Sequence, residues 1–142
     1  MTGWLLRALL SGGWAPAGVF LGHLAAMRLG AYARYEGFDR PVHVAGGAAI
    51  AWFFLRACAE ARRAGILGNP ATAVETLLIF ALTTTAAVVW EFAEYVSDRW
   101  MGTRLQGGLP DTLTDLALGM AGGAALLALR SAASWPRDRR RR

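Results

Sequence analysis

Lysine is absent from this chain of 142 residues: all 15 basic residues are arginines, and charged residues of both signs make up only 18% of the total. Soluble domains carry about 25%, so there is too little charge here to cover a water-facing surface. The single cysteine, Cys58, excludes an internal disulfide framework and a metal-thiolate cluster; it reads as a small apolar packing residue. No repeat of fixed period occurs, which excludes a solenoid. Neither H-E-x-x-H nor G-x-S-x-G is found, so the compact signatures of zinc and serine hydrolases are missing too.

What the chain has instead is 55% hydrophobic residues, gathered into apolar runs of about 20 residues, the length that spans a bilayer. A net charge of +5 in a soluble protein would raise nucleic acid as a partner. Here the arginines stand at the ends of apolar runs, which is membrane patterning and excludes that partner. The length suits one domain. The spacing predicts an all-α fold, a polytopic transmembrane bundle of four helices at about 4–29, 41–59, 71–98 and 111–129. These form a single transmembrane domain over residues 1–134, followed by a polybasic tail at 135–142.

The first run holds Arg7 and Ser11-Gly12-Gly13, and it is longer than the apolar core of a signal peptide despite the small residues at Ala31-Tyr32-Ala33. It reads as a retained helix. Tyr32 to Arg40 is a polar, aromatic connection suited to the membrane-water boundary, and Gly68-Asn69-Pro70 breaks the chain after helix 2. Helix 3, at about 28 residues, would be roughly 42 Å long and should tilt or project.

Four spans put both termini and the loop after helix 2 on one face. That face carries ten arginines, the other only Arg28, Arg34, Arg40, Arg99 and Arg104. The positive-inside rule therefore expects both termini in the cytoplasm. Anionic headgroups of membrane lipids are the expected partners of Arg137, Arg139, Arg140, Arg141 and Arg142.

In this topology the start of helix 2, the end of helix 3 and the start of helix 4 share the non-cytoplasmic face. Asp39, His43, Glu91, Glu94, Asp98, Asp111 and Asp115 can then line one binding pocket, with Asp39 and Asp98 at its rim. Asp111, Asp115, Gly119 and Gly123 follow at steps of four, as do His43, Gly47 and Ala51. Both stripes set polar residues on the small-residue faces by which membrane helices approach closely. On helix 3, Thr84, Ala87, Glu91 and Glu94 or Tyr95 make a corresponding face.

Other readings apply to some of these residues. Asp39 and Asp111 suit helix N-caps, and Thr112 with Asp115 has capping-box spacing. Glu91, Glu94 and Asp98 lie toward a helix C-terminus, where carboxylates oppose the macrodipole. They need a compensating partner: Arg34, Arg40, Arg99 or Arg104, a proton, a charged His43, or a bound cation. The trio His43, Glu91 and Asp115 offers the ligand types of a divalent metal such as zinc, manganese or iron. His23 reads as a packing histidine bonded to a backbone carbonyl, and Ser97 beside Asp98 lacks a nucleophile's context.

Four segments, F-D-R-P-V-H-V-A-G-G (38–47), W-E-F-A-E-Y-V-S-D (90–98), G-T-R-L-Q (102–106) and D-T-L-T-D-L-A-L-G-M-A-G (111–122), together resemble the YjdF-like group of small bacterial inner-membrane proteins. The resemblance covers roughly residues 32–125. A more distant likeness is to VanZ-like proteins, at Asp39 with His43, Glu91, Asp111 or Asp115, and Gly119 or Gly122. This chain has Arg40 where that pattern has Lys, Glu94 where it has Gln, and no Asn in the last helix. The resemblance implies a multi-pass protein of the cell envelope in the bacterial inner membrane, and for VanZ-like members a tie to reduced glycopeptide susceptibility. It supplies no settled reaction.

The expected function is therefore an outward-facing His/carboxylate pocket that binds a cation or the headgroup of an envelope lipid. Two alternatives stand beside it: a structural or interaction protein whose cluster is only an interhelical ion-pair network, and a small transporter. Four short helices enclose little volume, so the transporter would be a homo-oligomer. Whether hydrolysis or transfer follows binding is open at this stage.

Overall fold

The structure, a computed structural model, describes residues 3–139, with side chains described for residues 3–133. The arginine-rich end assigned to anionic headgroups, Arg137 and Arg139 to Arg142, lies outside the described side chains. All regular secondary structure among the described residues is helical: α1 (Gly3–Gly12), α2 (Trp14–Arg28), α3 (Ala31–Arg34), α4 (Asp39–Arg63), α5 (Thr72–Met101) and α6 (Leu109–Arg139).

Three helices, α4, α5 and the part of α6 from Leu109 to Ala133, are long and apolar enough to cross a membrane. The α1–α2 pair has the length and composition of a fourth crossing, but it is bent by 55°. The expected single first helix is thus broken, and Pro16 explains where. It has no N–H for the Gly12 carbonyl four residues back, and its ring crowds that carbonyl. The bend falls at Gly13, between the two helices.

The other helices run past the ends of their apolar runs. Helix α4 starts at Asp39, two residues before Pro41, because a proline in the first turn gives up only an N–H that has no intrahelical partner anyway. Asp39 is consequently the first helical residue, not the N-cap; Phe38 holds that position, without a side-chain cap bond. At its other end α4 continues to Arg63, and Glu60 in this last stretch is buried, with Arg7 at 3.2 Å and Arg63 as ion-pair partners. Helix α5 continues to Met101 and stops at Gly102, whose φ of 68° is left-handed and open to glycine without strain.

Helix α4 is the hub. It packs against α1, α2, α5 and α6, and α5 also packs against α6. The tightest approach is between α4 and α6, where a Cβ on Gly47 would collide with the Gly119 carbonyl and one on Gly122 with that of Val44. Away from this seam the core is Ala51, Cys58, Ile79 and Leu127. Large apolar side chains such as Leu10, Leu77, Phe92 and Leu129 face outward, as expected where the surrounding solvent is lipid.

Candidate functional site

The small-residue seam also assembles the site. Gly47 on α4 meets Gly119 on α6, and a Cβ on Gly119 would stand 3.4 Å from the Ala87 side chain of α5. One helical turn from these three positions, toward the same end of the bundle, lie His43, Asp115 and Glu91. Residues four apart stack on one helix face, so the close approach of the first three brings the second three together. His43 Nε2 is 3.5 Å from Asp115 Oδ2, and His43 Nδ1 is 4.0 Å from Glu91 Oε1. Donor atoms of all three lie within 4.8 Å of one another.

Glu91 and Asp115 are 6% and 4% exposed. Each has one buried carboxylate oxygen, Glu91 Oε2 and Asp115 Oδ1, without a hydrogen-bond partner. Leaving a buried polar atom unpaired is costly, the more so on a carboxylate. Among the described residues no arginine forms an ion pair with Glu91, Glu94 or Asp115: Arg34, Arg40, Arg99 and Arg104, the partners the sequence offered, are all absent from the ion pairs. A second set shares Asp115, joining it to Asp39 and Asp111 within the same 4.8 Å.

The other expected site residues divide. Glu94 is buried and accepts a hydrogen bond from Trp90 Nε1 at 2.8 Å. Asp111 is the third residue of α6, not its N-cap, and its Oδ2 accepts the Gly107 N–H at 2.8 Å, which ties the loop to the first turn while the residue also lines the cavity. Asp98 does not join the cluster. It accepts from Thr103 Oγ1 (2.6 Å), Leu105 N (2.8 Å) and Gln106 N (3.0 Å), and so ties the loop after α5 to the helix end. That loop in turn reaches the site, since Gln106 Nε2 donates to the backbone carbonyl of Glu91 at 3.1 Å.

Because α5 runs to Met101, Glu91 and Glu94 stand two to three turns from its end, beyond the reach of the terminal dipole. Burial, more than the macrodipole, is what these two carboxylates work against. Ser97 is turned away, its hydroxyl bonded to the Ala93 carbonyl at 2.8 Å. His23 bonds no carbonyl: its Nδ1 is 2.6 Å from the Tyr32 hydroxyl, and its ring stands edge-on to Trp90. Burial, with Glu94 and Asp39 opposite, pushes the Tyr32 phenol above its usual pKa, so it stays protonated at neutral pH.

His43, Glu94, Asp39, Asp111 and Asp115 line a cavity of about 850 Å³. It lies between α2, α4, α5 and α6 and under the loop at residues 103–107.

From residue 13 to residue 135 the chain matches the family described as "Predicted membrane protein (DUF2238)". The chain belongs to that family. The match bears out a membrane protein family; the VanZ-like likeness has no counterpart among the matches. No curated protein and no solved structure matches the chain. Membership of DUF2238 and the apolar helices agree on a membrane protein, and everything more specific about the site comes from its own residues.

Sequence reasoning missed the polar residues at the opposite end of the bundle. Besides the Glu60 pairs, Glu75 is 4% exposed and bound by Arg62 and, at 3.1 Å, by Arg130. The available signal was the i, i+3 spacing of Glu60 and Arg63, together with Arg7 inside an otherwise apolar run.

Proposed function

We propose that this is an envelope membrane protein in which His43, Glu91 and Asp115 bind a divalent cation beside the cavity, which His43 and Asp115 line and Glu91 backs from behind without lining it. The observation that carries this reading is the pair of orphaned, buried carboxylate oxygens on Glu91 and Asp115. In the same molecule, the buried carboxylates Glu60 and Glu75 are each held by two arginines. A cation is the partner that would do for the first pair what guanidinium groups do for the second. An imidazole with two carboxylates suits zinc, manganese or iron. Three protein ligands also leave a coordination position free for water or a bound molecule, as metals that act on substrates require.

Arg7, Arg56, Arg62, Arg63 and Arg130 belong to the Glu60 and Glu75 end, and the sequence adds five more arginines after residue 136 on the same side of a four-span order, against five on the other side; this bias favours a cavity that opens to the outside of the bacterial inner membrane. The test is metal analysis and titration calorimetry on protein purified in detergent, with zinc and manganese as probes. About one equivalent should bind, and His43→Ala and Glu91→Gln should each weaken binding by at least tenfold, since loss of even a partner that only orients a ligand costs about 10–100-fold, while both still insert and fold. Wild-type protein that is folded but binds neither ion would leave the cluster as an interhelical network only.

A further inference from the structure

The cavity is far larger than a hydrated ion needs, and its lining changes character along its depth. At the rim stand Tyr32, Phe38, Asp39 and Asp111; deeper, the walls are Val19, Phe20, Ile50, Ala86 and Ala87. On α4 the lining runs from Asp39 to Ile50, about 16 Å along a helix at 1.5 Å per residue. That is about half of a 30 Å hydrocarbon core. A space with a charged head and an apolar body of that depth has the shape of one lipid molecule.

One wall is weak. Helix α2 packs on α4, but it is not among the helices packed along α5. The two meet through rings: Phe20 and His23 stand edge-on to Trp90 at centroid distances of 5.9 and 5.4 Å. Aromatic edges can part without breaking a backbone contact, so this seam is the natural way in from the bilayer. Trp90 is also the donor to Glu94, so parting the seam would act directly on a carboxylate of the site.

The charges decide the headgroup. A divalent ion on His43, Glu91 and Asp115 would balance two carboxylates, while Glu36, Asp39, Glu94 and Asp111 on the cavity lining would still outnumber Arg104 there, with Asp39 and Asp111 beside the ion. A purely anionic headgroup would set its phosphate against that pair. A headgroup with an ammonium next to its phosphate instead offers N–H donors to Asp39 and Asp111, and a cation to the Tyr32 and Phe38 rings. Its phosphate then faces the open position of the metal.

Resting on the cation site proposed above, we infer that the cavity takes an amine-bearing zwitterionic phospholipid from the membrane. Its headgroup lies between the His43–Glu91–Asp115 site and the Asp39–Asp111 pair, and one chain lies in the α2–α5 seam. The test uses the full chain in nanodiscs doped with phosphatidylethanolamine that carries a photoreactive diazirine in its acyl tail, with and without zinc. Zinc-dependent labelling of the α2 and α5 peptides around Phe20 and Ala86 is expected. It should exceed labelling by the matching phosphatidylglycerol probe by about tenfold, a ratio worth about 1.4 kcal/mol.

Asp39→Asn should erase that preference, and Val19→Trp, which fills the seam, should abolish labelling while zinc still binds. Zinc binding with label only on outward side chains would overturn the lipid inference and leave the cation site standing. Displacement of the probe by soluble phosphoethanolamine at equal concentration would show a water-borne ligand and overturn it too. Absence of zinc binding would overturn the cation reading itself.

Discussion

Two aspartates on either side of the loop after α5, Asp98 and Asp115, show how differently one residue type can be used. Asp98 receives three hydrogen bonds from the loop it leads into, whereas Asp115 is buried with an oxygen that nothing partners. Substituting Asp98→Ala should release the loop, because three of its donors lose their common acceptor. Hydrogen exchange across residues 102–108 should rise by an order of magnitude or more, with the apolar spans unchanged. If the loop stayed protected, Asp98 would not be its anchor. Asp115 and His43 were legible in the sequence because each sits at a step of four from a glycine. Asp98's role was not, since its donors come from a loop whose path no helical period records. The partner of His23 was hidden for a similar reason: Tyr32 follows a left-handed turn at Gly30, and spacing along a helix says nothing across such a turn.

At the level of elements, the bundle depends on how near α4 can come to α6. Gly47 faces the Gly119 carbonyl with no room for a methyl group, while at Gly46, one residue earlier, a methyl group would meet nothing within 4 Å. Gly47→Ala should therefore force the helices apart, carry His43 away from Asp115, and weaken zinc or manganese binding at least tenfold along with a lower melting temperature in detergent. Gly46→Ala should leave both unchanged or raise stability slightly, since alanine is the better helix former. Equal effects from the two would mean that the α4–α6 approach does not set the site's geometry. The small-residue stripes made this seam readable from the sequence. The helix ends were less so, because hydropathy stops at the first charge, whereas a helix stops only where its backbone must. Glu60, Arg62 and Arg63 lengthen α4 by pairing rather than ending it, and the bend before Pro16 was not legible from hydropathy, which stays high across Ser11-Gly12-Gly13 whether the helix runs through them or breaks.

Across the whole molecule, the two ends are built on opposite plans. Glu75 sits between Arg62 and Arg130 and links α4, α5 and α6, and Glu60 draws in Arg7 from α1; at the other end no arginine among the described residues forms an ion pair with Glu91, Glu94 or Asp115. The same substitution should thus act with opposite sign at the two ends. Glu75→Gln strips a partner from two arginines and should destabilise by on the order of 1–3 kcal/mol, less than a fully buried pair because Arg130 is partly exposed. Glu91→Gln removes a buried carboxylate that no arginine holds and whose Oε2 has no hydrogen-bond partner, and should leave the melting temperature of metal-free protein the same or higher. The arginine-bound end also bears on orientation. Arg7 of α1 reaches Glu60 at that end, while His23 of α2 reaches Tyr32 beside the cavity, so the bent pair travels from one end of the bundle to the other as a broken crossing would. If the bent pair is one crossing, the four-span reading proposed above follows, and the charge bias would then set the cavity outside. Cys58 is buried, which leaves a quiet background for thiol labelling in whole cells. Leu109→Cys, at an exposed position beside the cavity loop, should react with a membrane-impermeant maleimide, and Ile66→Cys, exposed at the arginine end, should react only after the membrane is opened. The reverse pattern would invert the protein in the bilayer and turn the His43–Glu91–Asp115 site toward the cytoplasm.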